Sequence, residues 1–149
     1  MNKGDPEKAK EKEEQIWSLS DLSNTVVLVI DDDSNVCRSM KSLLESWQCE
    51  VHTVESAGQA IKCVVANSLE PDLIVSDYRL RENITGAQAI EQVCDELNCH
   101  IASIVVTGDT SPERLKNLTD SGYTVLHKPV SPARLRSAIQ RQLALTKTR

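Results

Sequence analysis

Polar residues of complementary chemistry follow four apolar runs in this 149-residue chain. Val26-Val27-Leu28-Val29-Ile30 leads into Asp31-Asp32-Asp33, and Leu73-Ile74-Val75-Ser76 into Asp77. Ile104-Val105-Val106 leads into Thr107, and Val125-Leu126-His127 into Lys128-Pro129. Carboxylates, a hydroxyl and an ammonium gathered at one place suit phosphoryl transfer: a carboxylate nucleophile, an acidic cation site, and two groups for the phosphoryl oxygens. Three clustered carboxylates do not all stay ionised without compensation. Lys128 supplies one positive charge, and an oxygen-rich, thiol-free set suits Mg²⁺ for the remainder.

The elements that must position these groups follow from the pattern. Short apolar, β-branched runs read as buried parallel strands, and ligands of an open parallel sheet bind at the carboxyl ends of its strands. Strands are predicted at residues 26–30, 50–54, 72–76, 101–106 and 124–127. Between them lie helical patterns. Val36, Met40, Leu43, Leu44 and Trp47 share one face, with Asp33 or Ser34 as cap. Ala57, Ala60, Ile61, Val64 and Val65 form the inward face of a helix over residues 56–67, and Ile90, Val93, Cys94 and Leu97 that of a helix from Gly86. Ser111-Pro112 and Ser131-Pro132 are cap-proline helix starts, with Gly122 ending the first helix. Leu135, Ala138, Ile139 and Leu143 face inward from the second. The fold class is α/β: a doubly wound, five-stranded parallel sheet with five helices.

Apolar residues make up 40%, charged residues 26% and aromatics only 3%, with no Phe, so the core rests on Val, Ile, Leu and Ala. A net charge of −5 argues against autonomous nucleic-acid binding. Five cysteines without a CxxC pair read as buried or surface thiols in a reducing cytoplasm, with Cys63 and Cys94 among apolar helix positions. No apolar stretch is long enough to span a membrane, and the polar start is not a signal peptide. Residues 1–24 read as a charged linker or helical extension in which Ile16, Trp17, Leu19 and Leu22 dock weakly. Residues 25–146 form the domain and 147–149 a tail. His52, His100 and His127 share no metal-ligand spacing, and no glycine-rich nucleotide loop occurs, so the chain is not expected to be a kinase.

Asp31-Asp32, Asp77, Thr107-Gly108 and Lys128-Pro129, in this order and each at a strand end, resemble the receiver domain of two-component response regulators. The stretches Asp77-Tyr78-Arg79-Leu80-Arg81, Thr107 to Leu115 and His127-Lys128-Pro129-Val130, together with the leading linker, are most similar to the C-terminal receiver of hybrid sensor histidine kinases. The resemblance implies that Asp77 takes a phosphoryl group from a phosphohistidine on a sensor kinase or phosphotransfer protein. It implies the flavodoxin-like strand order 2-1-3-4-5, and Mg²⁺ held by Asp31, Asp32, Asp77 and the backbone carbonyl of Arg79. It gives Lys128 and Thr107 to the phosphoryl oxygens, Thr107 to the switch, Gly108 to donor access, and a cis peptide to Lys128-Pro129. Such a domain would be a cytoplasmic monomer, without nucleic-acid or membrane contact of its own, catalysing its own phosphorylation and dephosphorylation.

Two departures stand out. The loop Arg79-Leu80-Arg81-Glu82-Asn83-Ile84 replaces the usual Met-Pro and is one residue longer. Val125 replaces the usual aromatic switch residue, and Tyr123 lies two residues too early to serve instead. Arg79 and Asp109, each two residues beyond a site residue, carry opposite charges; they are expected to pair across the mouth and to lengthen the phosphoaspartate lifetime. Two alternatives bear on function: a non-phosphorylated interaction module of the same fold, and a haloacid-dehalogenase-type phosphatase using Asp31 in Asp31-x-Asp33. For the latter, Lys128 falls on the wrong side of Gly108-Asp109.

Overall fold

The computed structural model describes residues 22–81, 83–108 and 111–147. Among the described residues, five strands alternate with five helices: β1 (Val26–Ile30), α1 (Ser34–Ser46), β2 (Glu50–Val54), α2 (Ala57–Ala66), β3 (Leu73–Asp77), α3 (Gly86–Leu97), β4 (Ala102–Thr107), α4 (Pro112–Asp120), β5 (Thr124–His127) and α5 (Pro132–Lys147). The strands are parallel, in the order β2-β1-β3-β4-β5. The predicted fold class is therefore observed.

Alternation along the strands splits the core into two layers. Val27, Val29, Val75, Ile104 and Val106 pack under α1 and α5, against Leu44, Leu135 and Ile139. Leu28, Ile30, Ile74 and Val105 pack under α2, α3 and α4, against Val64, Ile90 and Leu118. Burial on both faces is why the central strands read as continuous apolar runs. All of β4 is buried.

Local chemistry sets the helix starts. The Asp33 carboxylate accepts from the Asn35 N–H at α1, and the Ser56 hydroxyl from the Gln59 N–H at α2. A reciprocal box of Thr85 and Gln88 opens α3. Asp77 is the last residue of β3 and Thr107 the last of β4, one residue further than the apolar runs suggest, because both still pair with the neighbouring strand.

Of the cysteines, Cys37 and Cys49 are buried and Cys63 and Cys94 half-buried. Two packing expectations are corrected. Val65 is 56% exposed, since α2 turns only its Ala57, Ala60 and Val64 stripe fully inward. Leu22, assigned to the linker, is fully buried; its carbonyl accepts from the Thr25 N–H, so the core begins before Thr25. Ile16, Trp17, Leu19, Asp109 and the end of the tail lie outside the described residues.

Candidate functional site

Parallel register aligns the carboxyl ends of the middle strands. Ile30 pairs with Ser76, Asp77 with Val106, and Thr107 with His127. The residues just beyond therefore meet at one rim. Asp31 is fixed from several sides: its N–H donates to the Val54 carbonyl (3.0 Å), its carbonyl accepts from the Cys37 thiol (3.2 Å), and its carboxylate accepts from the Asp33 N–H (2.9 Å). It is 5% exposed. Asp33, as the helix cap, has its carboxylate turned to Asn35 and stands outside the acidic cluster.

Asp31, Asp32 and Asp77 each present a carboxylate oxygen within 4.8 Å of the others. Lys128 Nζ lies 2.9 Å from Asp77 Oδ1. The electrostatics follow from this crowding. Burial, reinforced by the charges of Asp77 and Asp32, raises the Asp31 carboxyl above its ordinary value, against the opposing Asp33 N–H and Lys128. Burial alone would lower Lys128; its hydrogen bond to Asp77 and the charges of Asp77, Asp31 and Asp32 outweigh that and raise it. One ammonium against three carboxylates leaves the rim short of positive charge, and the donors are all oxygen. That set fits a hard divalent cation.

Thr107 is buried, and its carbonyl accepts from the Lys128 N–H at 2.9 Å, which ties the ends of β4 and β5 together. The Lys128–Pro129 peptide is cis. Beside Thr107, Gly108 leaves open space: a Cβ there would meet no heavy atom within 4 Å.

The turn from β3 to α3 is tightly built. Tyr78 N–H donates to the Val106 carbonyl, Leu80 N–H to the Ile84 carbonyl, and Arg79 and Thr85 form an antiparallel bridge. Leu80 is buried in the core layer under α3. Two participants escape a reading of the sequence. Gly86 is one: a Cβ at this position would lie 2.2 Å from the Asp77 carbonyl oxygen, so only glycine lets α3 start against the strand. The available signal was a glycine opening an otherwise apolar helix face, which marks close backbone approach. Arg81 is the other. Its Nη2 donates to the Asp32 carbonyl at 3.2 Å, and its Nε lies 4.0 Å from Asp32 Oδ2. The partner expected for Arg79, Asp109, lies outside the described residues.

A family model described as the response regulator receiver domain matches residues 27–140. The chain belongs to that family. Receiver domains also dominate its likeness to individual proteins. A two-component response regulator of Oryza sativa subsp. indica is 29% identical over 114 residues, covering 76% of this chain and 18% of the rice protein. A second regulator from the same subspecies is 31% identical over 114 residues, covering 76% of this chain and 16% of its own length. The receiver thus spans less than a fifth of the curated relatives it matches. Among solved structures, a receiver domain protein from Clostridium thermocellum superposes with a TM-score of 0.73 at 26% identity, covering 83% of this chain and 98% of that one. A receiver domain protein described as CheY-like, from Methanospirillum hungatei, gives 0.73 at 26%, covering 85% and 98%. Membership of this family sets aside the haloacid-dehalogenase reading, and the pairing of Lys128 with Asp77 rather than Asp31 accords with that.

Within the receiver, the β5 side departs from an aromatic switch. Val125 pairs with Val105 of β4 and packs, half-buried, on the layer under α3 and α4. Tyr123 lies before the strand, with its hydroxyl donating to the Ala87 carbonyl at 3.4 Å.

Proposed function

We propose that this receiver accepts a phosphoryl group from a phosphohistidine onto Asp77 in a Mg²⁺-dependent reaction. The observation that carries the proposal is the Lys128–Asp77 pair, 2.9 Å apart inside a cluster of three carboxylates. An Asp77 oxygen forms the new P–O bond as the P–N bond to the donor imidazole breaks. Lys128 holds the Asp77 carboxylate beforehand and a phosphoryl oxygen afterwards. Asp31, Asp32, Asp77 and the Arg79 carbonyl would hold the metal; when bound, Mg²⁺ supplies charge that draws the phosphoryl oxygens in. Thr107 donates to another phosphoryl oxygen, and Gly108 gives the donor room. In this reading Arg79 and Asp109 slow hydrolysis of the phosphoaspartate by screening it from in-line water.

The donor is a sensor kinase or phosphotransfer protein, and the receiver forms the C-terminal part of a hybrid histidine kinase. It works as a cytoplasmic monomer; among the described residues, no helix is long and apolar enough to cross a membrane. The test is phosphorylation by acetyl phosphate, followed by intact mass. One phosphoryl group should be added with Mg²⁺ and none in excess chelator, and Asp77→Asn should abolish it. Full modification of Asp77→Asn would overturn the assignment.

A further inference from the structure

The loop after β3 carries a cation that phosphoacceptor chemistry does not require. Arg81 lies 49 residues from Asp32, yet its guanidinium reaches the turn after β1. Its neighbours fix the loop beneath it: Leu80 is buried, the Leu80 N–H donates to the Ile84 carbonyl, and Arg79 bridges Thr85. The loop therefore holds the Arg81 backbone in place while the side chain stays 67% exposed.

We propose that Arg81 is a positioning residue of the acidic rim: it latches the β1–α1 turn and, by sharing the charge of Asp32, weakens the site for a divalent cation. This rests on the reading of the rim as a Mg²⁺ site. The division of contacts decides the direction of the effect. The hydrogen bond goes to the Asp32 carbonyl, at 3.2 Å, whereas the carboxylate oxygen is 4.0 Å from Nε. The guanidinium therefore grips the backbone and acts on the carboxylate only as a nearby charge. With Asp31, Asp32, Asp77 and Lys128 all ionised, the rim carries −2; Arg81 makes it −1. A second resident cation lessens the attraction for a third. Because Arg81 is solvent-exposed, its contribution is that of a surface ion pair, up to about fivefold in affinity, and it is screened by salt.

The test is a Mg²⁺ titration of the unphosphorylated chain, followed by backbone amide shifts at the rim. Arg81→Ala should bind about two- to fivefold more tightly than wild type at low ionic strength, and the gap should close as salt is raised. Arg81→Lys keeps the charge and should stay near wild type in affinity, while the Asp32 and Asp33 amides shift because the Nη2 hydrogen bond to the Asp32 carbonyl is lost. Equal or weaker binding by Arg81→Ala, or a gap that persists at high salt, overturns the latch while leaving the metal site standing. Wild-type amides that do not respond to Mg²⁺ overturn the metal site and the latch together, and loss of the response in Asp32→Asn supports the assignment of the ligand.

Discussion

The middle of the sheet and its β5 edge are built from the same kinds of residue under different constraint. Val105 and Val125 face each other on one rung, yet Val105 is fully buried and Val125 only partly. Asp31 and Asp77, at the ends of central strands, are 5% exposed as a residue and 11% exposed as a side chain, respectively. Lys128, at the end of β5, is 41% exposed as a side chain. The centre holds the carboxylates in fixed positions, and the edge contributes a long side chain, Lys128, that pairs with Asp77. Packing on both faces suits a preformed charge cluster, whereas the half-covered edge strand leaves its cation open to solvent.

Substitutions can break or sharpen this contrast. The largest effect on folding is expected from Gly86→Ala, which drives a Cβ into the Asp77 carbonyl and should cost roughly 1–3 kcal/mol or more in urea unfolding. A stability equal to wild type would mean that the centre is softer than its packing implies. Next comes the valine rung: Val105→Ala should cost about 2 kcal/mol and Val125→Ala about 1 or less, because burial differs at fixed chemistry. Equal costs would erase the distinction between centre and edge.

A pH series probes the centre alone. The folded Asp31 carboxyl holds its proton more tightly than the unfolded one, so its contribution to stability is fully present below the unfolded value and is lost as pH rises through the raised folded value. Without divalent cations, Asp31→Asn should therefore melt higher than wild type at neutral pH, and the two should converge below about pH 3.8. A neutral-pH melting point below wild type would show that the charge is already compensated. The smallest effect concerns the edge. With Val125 in place of a bulky ring, beryllofluoride with Mg²⁺ should shift amides strongly around Asp77 and Thr107 but only modestly over α4, β5 and α5. Shifts on that face as large as those at the rim would show that the edge responds without an aromatic.

The parallel sheet and four of the rim positions were legible because each position lies where an apolar run stops, and parallel topology sends all such ends to one side; the strand order came from the resemblance to receivers, since run ends carry no order. Asp33 was legible as a cap because a short carboxylate before a helical pattern has an N–H to accept. Val65 was misread because apolar identity alone does not say how wide the buried stripe of a short helix is. Leu22 was hidden by the charge run before it. Arg81 was out of reach, since its contact with Asp32 spans 49 residues and depends on the path of the connection between β3 and α3.

The contact between Gly86 and Asp77 has a mechanical consequence. The Gly86 N–H donates to the Tyr78 carbonyl at 2.6 Å, and the Asp77 carbonyl and the Ser76 hydroxyl take up the space that a side chain at Gly86 would need. Helix α3 therefore starts directly against the end of β3, with no free volume between them. A displacement of the Asp77 main chain towards α3 has no slack to absorb it and must carry the helix start along.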